Sequence, residues 1–242
     1  MKLLLMCRTD LHCVNALSDQ TLFYPVIFSN PDISMDPLPL TLDADFTKSS
    51  VIYGDLELGV LMAGKYPFEW TLKHIQELSA TLEFIRTSST LPEENIRYSD
   101  KVYYLQHCLL TIINSPNYGQ VDTIFSIAAL IFCCTCFRDV DFNFRVVADG
   151  VRWLKDAFEA FDVEQSLKFE KHRHRLFWTI TFGAIAAEGK QEKPWFVGKM
   201  KTICKILNLS TWESAKRILE DILWQSKLDQ LGSRLWGETF EL

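Results

Sequence analysis

The chain has 242 residues and a mass near 28.0 kDa, with 48% hydrophobic, 13% aromatic and 23% charged residues. That balance excludes a disordered tail, and 10 Gly with 8 Pro exclude a collagen-like or linker-dominated chain. The formal net charge of −6 argues against a general nucleic-acid coat protein.

The chain opens on Met1-Lys2-Leu3-Leu4-Leu5-Met6. This start is faintly like a signal peptide, but the apolar run stops at Cys7-Arg8, short of the roughly 7–15 residues an h-region needs. Pro25, Pro31, Pro37 and Pro39 then interrupt residues 25–50. Proline removes a backbone donor and restricts its predecessor, so residues 1–65 are expected to form an irregular, partly ordered arm. Only Val51–Tyr53 and Glu57–Leu61 offer short strand candidates.

After Pro67 the pattern turns helical. Ile75, Leu78, Leu82 and Ile85 recur at 3-4-3 spacing and share one helical face. Val102, Leu105, Leu109 and Ile112 repeat that spacing behind Ser99, a candidate N-cap, and Pro116 closes the segment. Residues 121–137 are apolar nearly all round, as a central helix should be. The most apolar stretch, Ile124 to Phe137, falls short of the ~20 residues a membrane span needs. Val147, Val151, Leu154, Phe158 and Phe161 follow at 4-3-4-3, and Leu176 to Ala187 is a further apolar helix. Pro194 suits a first helical turn ahead of Phe196, Met200, Ile203 and Leu207. Ser210 and Glu213 are spaced as a capping box before Ala215, Leu219 and Ile222. Leu228, Leu231 and Leu235 fit a last short helix. The expected fold is all-α: residues 66–242 as an irregular bundle of about seven or eight helices, preceded by the arm. No internal repeat is visible.

Seven cysteines, Cys7, Cys13, Cys108, Cys133, Cys134, Cys136 and Cys204, are an odd number without regular spacing. They make a poor disulfide framework, and most sit among apolar residues, which points to a reducing compartment, cytosol or nucleus. Cys133 and Cys136 form a C-x2-C, but a structural zinc needs four ligands and no second pair exists. Core packing is the favoured reading. His107-Cys108 is a poor nucleophile pair, because adjacent helical residues do not face each other. His172 and His174, two apart on a helix, point about 200° apart and do not suit one metal ion; a solvated helix start is the favoured reading. Gly54 and Gly59 are spaced like part of a phosphate loop, but Val60 follows where lysine is required. No nucleophile elbow, metalloprotease motif or dinucleotide fingerprint is present. No catalytic, cofactor-binding or metal-ligating residue is assigned, and no cofactor is expected.

Charge is unevenly spread. Residues 164–205 hold 9 basic and 4 acidic side chains, net +5, whereas residues 1–60 hold 3 and 8, net −5. The ordinary reading of the basic segment is a solvated helix face, and the sharper one is a contact for an acidic partner or nucleic acid. Trp178, Trp195, Trp212, Trp224 and Trp236 fall about one per helix. Helix packing explains that spacing, with a partner interface or an apolar pocket as the alternative.

Three runs carry a family resemblance: His172-Arg173-His174-Arg175-Leu176-Phe177-Trp178, Phe182-Gly183-Ala184-Ile185-Ala186-Ala187-Glu188-Gly189 and Glu192-Lys193-Pro194-Trp195-Phe196-Val197. Together they resemble the C-terminal part of the fungal-specific transcription factor domain. Trp212-Glu213, Leu223-Trp224 and Leu235-Trp236-Gly237-Glu238 fit the same tail, and Ser126–Ile131 is similar to the preceding small-residue helix. The good match spans about residues 120–238, roughly half the chain. The resemblance implies an all-helical regulatory region of a nuclear transcription regulator, of a kind that often controls metabolic or secondary-metabolite gene clusters.

The family's DNA-binding module uses six cysteines in two C-x2-C-x6-C runs. Residues 1–60 hold only Cys7 and Cys13, so neither the two-zinc clamp nor its major-groove helix is expected here. A shortened paralogue, a partial gene model and a partner of a full-length regulator all fit that departure. The expected function is a transcription-regulator-like protein acting through protein partners or an effector. It would have no independent sequence-specific DNA binding, no membrane association and no enzymatic turnover. The alternative is a small-molecule-binding or enzymatic helical protein with a tryptophan-lined pocket.

Overall fold

A computed structural model describes residues 68–87, 92–161 and 169–240. The expected arm over 1–65, its strand candidates, Gly54, Gly59, Cys7 and Cys13 lie outside the described residues. Among the described residues the regular elements are all helical, as the apolar periodicity implies. We label them α1 (Phe68–Thr87), α2 (Pro92–Asn114), α3 (Gln120–Phe132), α4 (Arg145–Glu159), α5 (Glu170–Ala186), α6 (Lys193–Ile206), α7 (Trp212–Ile222) and α8 (Asp229–Phe240). A π-helical turn, Cys133–Phe137, continues α3, and a 3-10 turn, Ser226–Leu228, leads into α8.

Two helix starts differ from the sequence reading. The start of α2 is Pro92, which leaves Ser99 inside the helix. Proline suits the first helical position, where its missing N–H is not needed. The N-cap of α7 is Thr211, one residue beyond Ser210. Its Oγ1 accepts from the Ser214 N–H at 3.2 Å, and Ser214 Oγ donates back to the Thr211 carbonyl at 2.8 Å.

Helices α3 and α5 form the centre. The α3 helix packs on α2, α4 and α5, while α5 also meets α4, α6, α7 and α8. Every residue from Leu176 to Ala187 is buried, and so is nearly every residue from Ile124 to Phe137. With its π turn, α3 is long and apolar enough to cross a membrane, yet 83% of that stretch, Gln120–Phe137, is buried inside the protein. Its apolar sides are spent on neighbouring helices, as in the core helix of a globular domain.

Large aromatic side chains fill the space between α3 and α5. Trp178 stacks on Phe182 with centroids 5.4 Å apart and planes 7° apart, and Phe125 lies 4.8 Å from the same indole. Phe132 meets Phe182 edge-on at 5.5 Å. Burying one such side chain stabilises the fold by roughly 1.5–3 kcal/mol relative to exposure. The polar edge of Trp178 is matched as well, because its indole N–H donates to the Leu223 carbonyl at the end of α7. One bond satisfies a buried donor and an otherwise orphaned helix-terminal carbonyl.

Close approach of α6 to α5 depends on Gly183. A Cβ there would lie 2.6 Å from Phe196 and 3.1 Å from Leu154. Gly189, at φ +69°, turns the chain from α5 towards α6 in a left-handed conformation that side chains rarely adopt. Lys190 closes the same corner by donating to the carbonyls of Ala186 and Phe142, each at 2.9 Å. A cation suits the negative end of α5.

Candidate functional site

Each chemically suggestive motif among the described residues has a definite place. Cys133 and Cys136 both lie on the π turn and are buried. Burial pushes the Cys133 thiol well up, with the neighbouring Cys134 and Cys136 adding to the rise. Burial alone pushes Cys204 up to about 12. Since the thiolate is the nucleophile and the metal ligand, these sulfurs are held in their inert form near neutral pH. Gln106 Nε2 donates to Cys134 Sγ at 3.5 Å. The carbonyls of Thr135 and Cys136 accept from Lys227 Nζ at 2.9 and 3.2 Å. The π turn is thus pinned to the segment between α7 and α8. Among the described residues no group of three His, Cys, Asp or Glu side chains could hold a metal. His107 is exposed while Cys108 beside it is buried, so the helix sends the two side chains to different environments.

The start of α5 is less solvated than the charge run implies. His172, Arg173, His174 and Arg175 are all half-buried. Arg175 donates to both carboxylate oxygens of Glu69 at 2.6 and 2.7 Å and to Asp122 at 3.4 Å. Its guanidinium carbon also lies 4.7 Å over the Phe68 ring. One side chain therefore ties α5 to α1 and α3, with Nη2 on Glu69, Nη1 on Asp122 and the guanidinium over an aromatic face.

Four of the tryptophans fall into two groups. Trp178 belongs to the central core. Trp212, Trp224 and Trp236 gather at the α7–α8 end, with Trp212 centroids 6.1 Å from Trp224 and 6.4 Å from Trp236. The Trp212 ring lies directly over Gly232, where a Cβ would collide with it. Trp224 Nε1 donates to Asp229 at 2.8 Å. Their rings cover other helices, which is the packing role the spacing favours.

The basic residues of 164–205 likewise divide. Arg175 and Lys190 act inside the fold, as described. Lys193 bridges Glu188 at 2.7 Å and Glu238 at 2.6 Å, joining α6 to α8. Burial opposes the charge on the Lys193 ammonium, but its bonds to these two carboxylates win and leave it raised. Lys199, Lys201 and Lys205 are different. All three are exposed, and among the described residues none of them has a carboxylate partner. Helix α6 holds four lysines and no Asp or Glu.

Helical geometry orders this outer face. At 3.6 residues per turn, Lys201 and Lys205 form one stripe, and Trp195, Lys199 and Ile206 form a second. Gly198 lies between the stripes with nothing within 4 Å of where a Cβ would be, leaving a shallow gap. Lys199 Nζ sits 5.7 Å over the Trp195 ring, and Trp195 is itself held edge-on by Phe158 at 6.0 Å. Ile206 is 41% exposed, among the few large apolar side chains left in water. The buried face of the same helix, Phe196, Met200, Ile203 and Cys204, holds it to the bundle.

Sequence reasoning identified the basic segment but not this division. The signal that locates the face is the absence of carboxylates from Lys193 to Ile206, read together with the apolar period that fixes which side is buried. Comparison with family models, curated proteins and solved structures finds no match. The family resemblance rests on the residues that carry it.

Proposed function

We propose that the chain is a regulatory, partner-binding protein, with a role like that of the helical regulatory region of fungal transcription regulators and a place of action in the nucleus. It works by contact with protein partners, and this reading gives it no reaction to catalyse. The observation that carries the proposal is the outer face of α6. It is rigidly seated, basic, free of carboxylates and lies in the segment that bears the resemblance. The surroundings of the described thiols support the same reading, because burial keeps Cys133 and Cys204 protonated.

The test is to tether the full chain to a heterologous DNA-binding module upstream of a reporter gene. A change in reporter output, relative to the module alone, is the expected result. An unchanged output with the fusion protein present in the nucleus would overturn the reading. Titration of the untethered chain against DNA across a range of salt adds an independent check. Tight, salt-tolerant binding to one sequence contradicts action through protein partners alone.

A further inference from the structure

We infer that the outer face of α6 is a docking site for an acidic, amphipathic segment of a partner protein, with Lys199, Lys201 and Lys205 meeting its carboxylates and Trp195, Gly198 and Ile206 receiving its apolar side chains. This deepens the reading above and rests on it.

Three observations specify the occupant. The first is charge. Exposed ammonium groups on globular proteins commonly have carboxylates nearby, and here Lys73, Lys155 and Lys216 all pair with acids one turn along their own helices. On α6 none of the three lysines has such a partner among the described residues, in a chain whose net charge is −6. A positive patch on an acidic protein steers and orients a negative partner. The second is spacing. From Gly198 to Lys205 the helix rises by roughly 10 Å, so the lysines lie within reach of carboxylates placed about one turn apart on a facing helix. The third is the apolar content. The Trp195–Ile206 stripe borders the lysines, and the missing side chain at Gly198 opens the backbone between the stripes. An amphipathic helix laid on a shallow groove uses that combination of apolar anchors and a charged rim.

The same features weigh against a phosphate backbone. A nucleic acid needs many cations along its length, with guanidinium forks for base edges, and has no use for a solvent-exposed isoleucine. Three ammonium groups over one short helix, on a protein of net charge −6, supply too little.

The experiment is a fluorescence anisotropy titration of the full chain with a labelled synthetic peptide. The peptide carries Asp and Glu at i, i+4 spacing and Leu and Phe on the adjoining stripe. Saturable binding that weakens with salt is expected. The triple variant Lys199→Glu/Lys201→Glu/Lys205→Glu should lose at least about tenfold in affinity, about 1.4 kcal/mol. Reversal of the paired lysines, Lys73→Glu/Lys155→Glu, should leave binding unchanged. Gly198→Leu fills the gap without touching charge, in open space where the fold tolerates it, and should also weaken binding. Circular dichroism establishes that each variant keeps its helices.

No binding of the acidic peptide overturns the inference. Equal binding of an Asn/Gln version of the peptide overturns it, and so does equal loss from the control reversal. Tighter binding to a DNA duplex or to phosphatidylserine vesicles than to the peptide overturns it as well. Loss of peptide binding with the tethered reporter response intact sinks the α6 site and leaves the regulatory reading standing. Peptide binding with a silent reporter does the reverse.

Discussion

The indole N–H of Trp178, at the centre of α5, donates to the backbone carbonyl of Leu223, where α7 ends. The bond joins two helices that are 45 residues apart in sequence at this point, in a site closed to water. A buried donor or acceptor that loses its partner retains its full desolvation penalty of about 1–3 kcal/mol. Trp178→Phe keeps most of the ring contact with Phe182 and Phe125 but strands the Leu223 carbonyl. It should cost about 1–3 kcal/mol, and Trp178→Ala about 3–5 kcal/mol through the added cavity. Urea unfolding followed by circular dichroism measures both. A Trp178→Phe variant as stable as the parent would show that the Leu223 carbonyl finds another donor.

Two glycines in neighbouring helices should respond to alanine with opposite sign. At Gly183 a new Cβ meets Phe196 and Leu154, side chains locked in the α4–α5–α6 contact. Overpacking there should destabilise by roughly 1–3 kcal/mol. At Gly198 a new Cβ meets nothing, and alanine removes the backbone entropy that glycine loses in a helix. Gly198→Ala should stabilise by up to about 1 kcal/mol. Midpoints of chemical unfolding for the two variants must fall on opposite sides of the parent. Two shifts of the same sign would mean that helix propensity or the α5–α6 contact is misjudged.

Much of this architecture is legible in the residues. Apolar spacing places α1, α4 and α6, because one face of each is buried and the other is not. The all-round apolar character of residues 121–137 and 176–187 marks the two central helices for the same reason. Helix starts are less legible. A cap is decided by the backbone angles of one residue, and Thr211 and Ser210 are chemically equivalent candidates one step apart. The beginning of α2 is hidden differently, since the 3-4 period begins only at Val102, well after Pro92. The candidate site was half visible. Composition shows an excess of lysine in 164–205, but whether a lysine is tied down depends on helices far away in sequence. Lys193 finds Glu238 across 45 residues, and Lys205 finds no acid among the described residues.

Arg175 should be irreplaceable by lysine. Its side chain is 12% exposed, and its two terminal nitrogens serve two carboxylates, Nη2 both oxygens of Glu69 and Nη1 Asp122. An ammonium is a single point charge and cannot reach both carboxylates with separate, fixed nitrogens. Glu69 is 70% exposed, so solvent screens much of this pair. The expected loss for Arg175→Lys is about 0.5–1 kcal/mol, and for Arg175→Ala about 1–2 kcal/mol once the guanidinium contact with the Phe68 ring is included. Added salt should shrink the difference between parent and Arg175→Lys. A lysine variant equal to the parent at low salt would show that reaching both carboxylates at once contributes nothing.

The Glu188–Lys193 pair should give the bundle an acid-sensitive link between the end of α5 and α6. The Lys193 hydrogen bond holds the Glu188 carboxyl below its ordinary value of 4.5, against a smaller opposing effect of burial, with Lys193 and Arg234 charges assisting. A carboxyl depressed in the folded state binds protons more readily when unfolded. Its stabilising contribution is complete above its unfolded value and disappears as pH falls through the lower folded value. The thermal midpoint should therefore begin to fall as the pH drops below about 4.5. Glu188→Gln should start from a lower midpoint at neutral pH and show a shallower decline over that window, since glutamine has no proton to take up. The comparison is of slopes, because the variant keeps the chain's other carboxylates. Glu188 is 45% exposed, and salt should compress the difference between the two curves. Parallel acid limbs for parent and variant at low salt would show that the Lys193 bond contributes nothing to the fold.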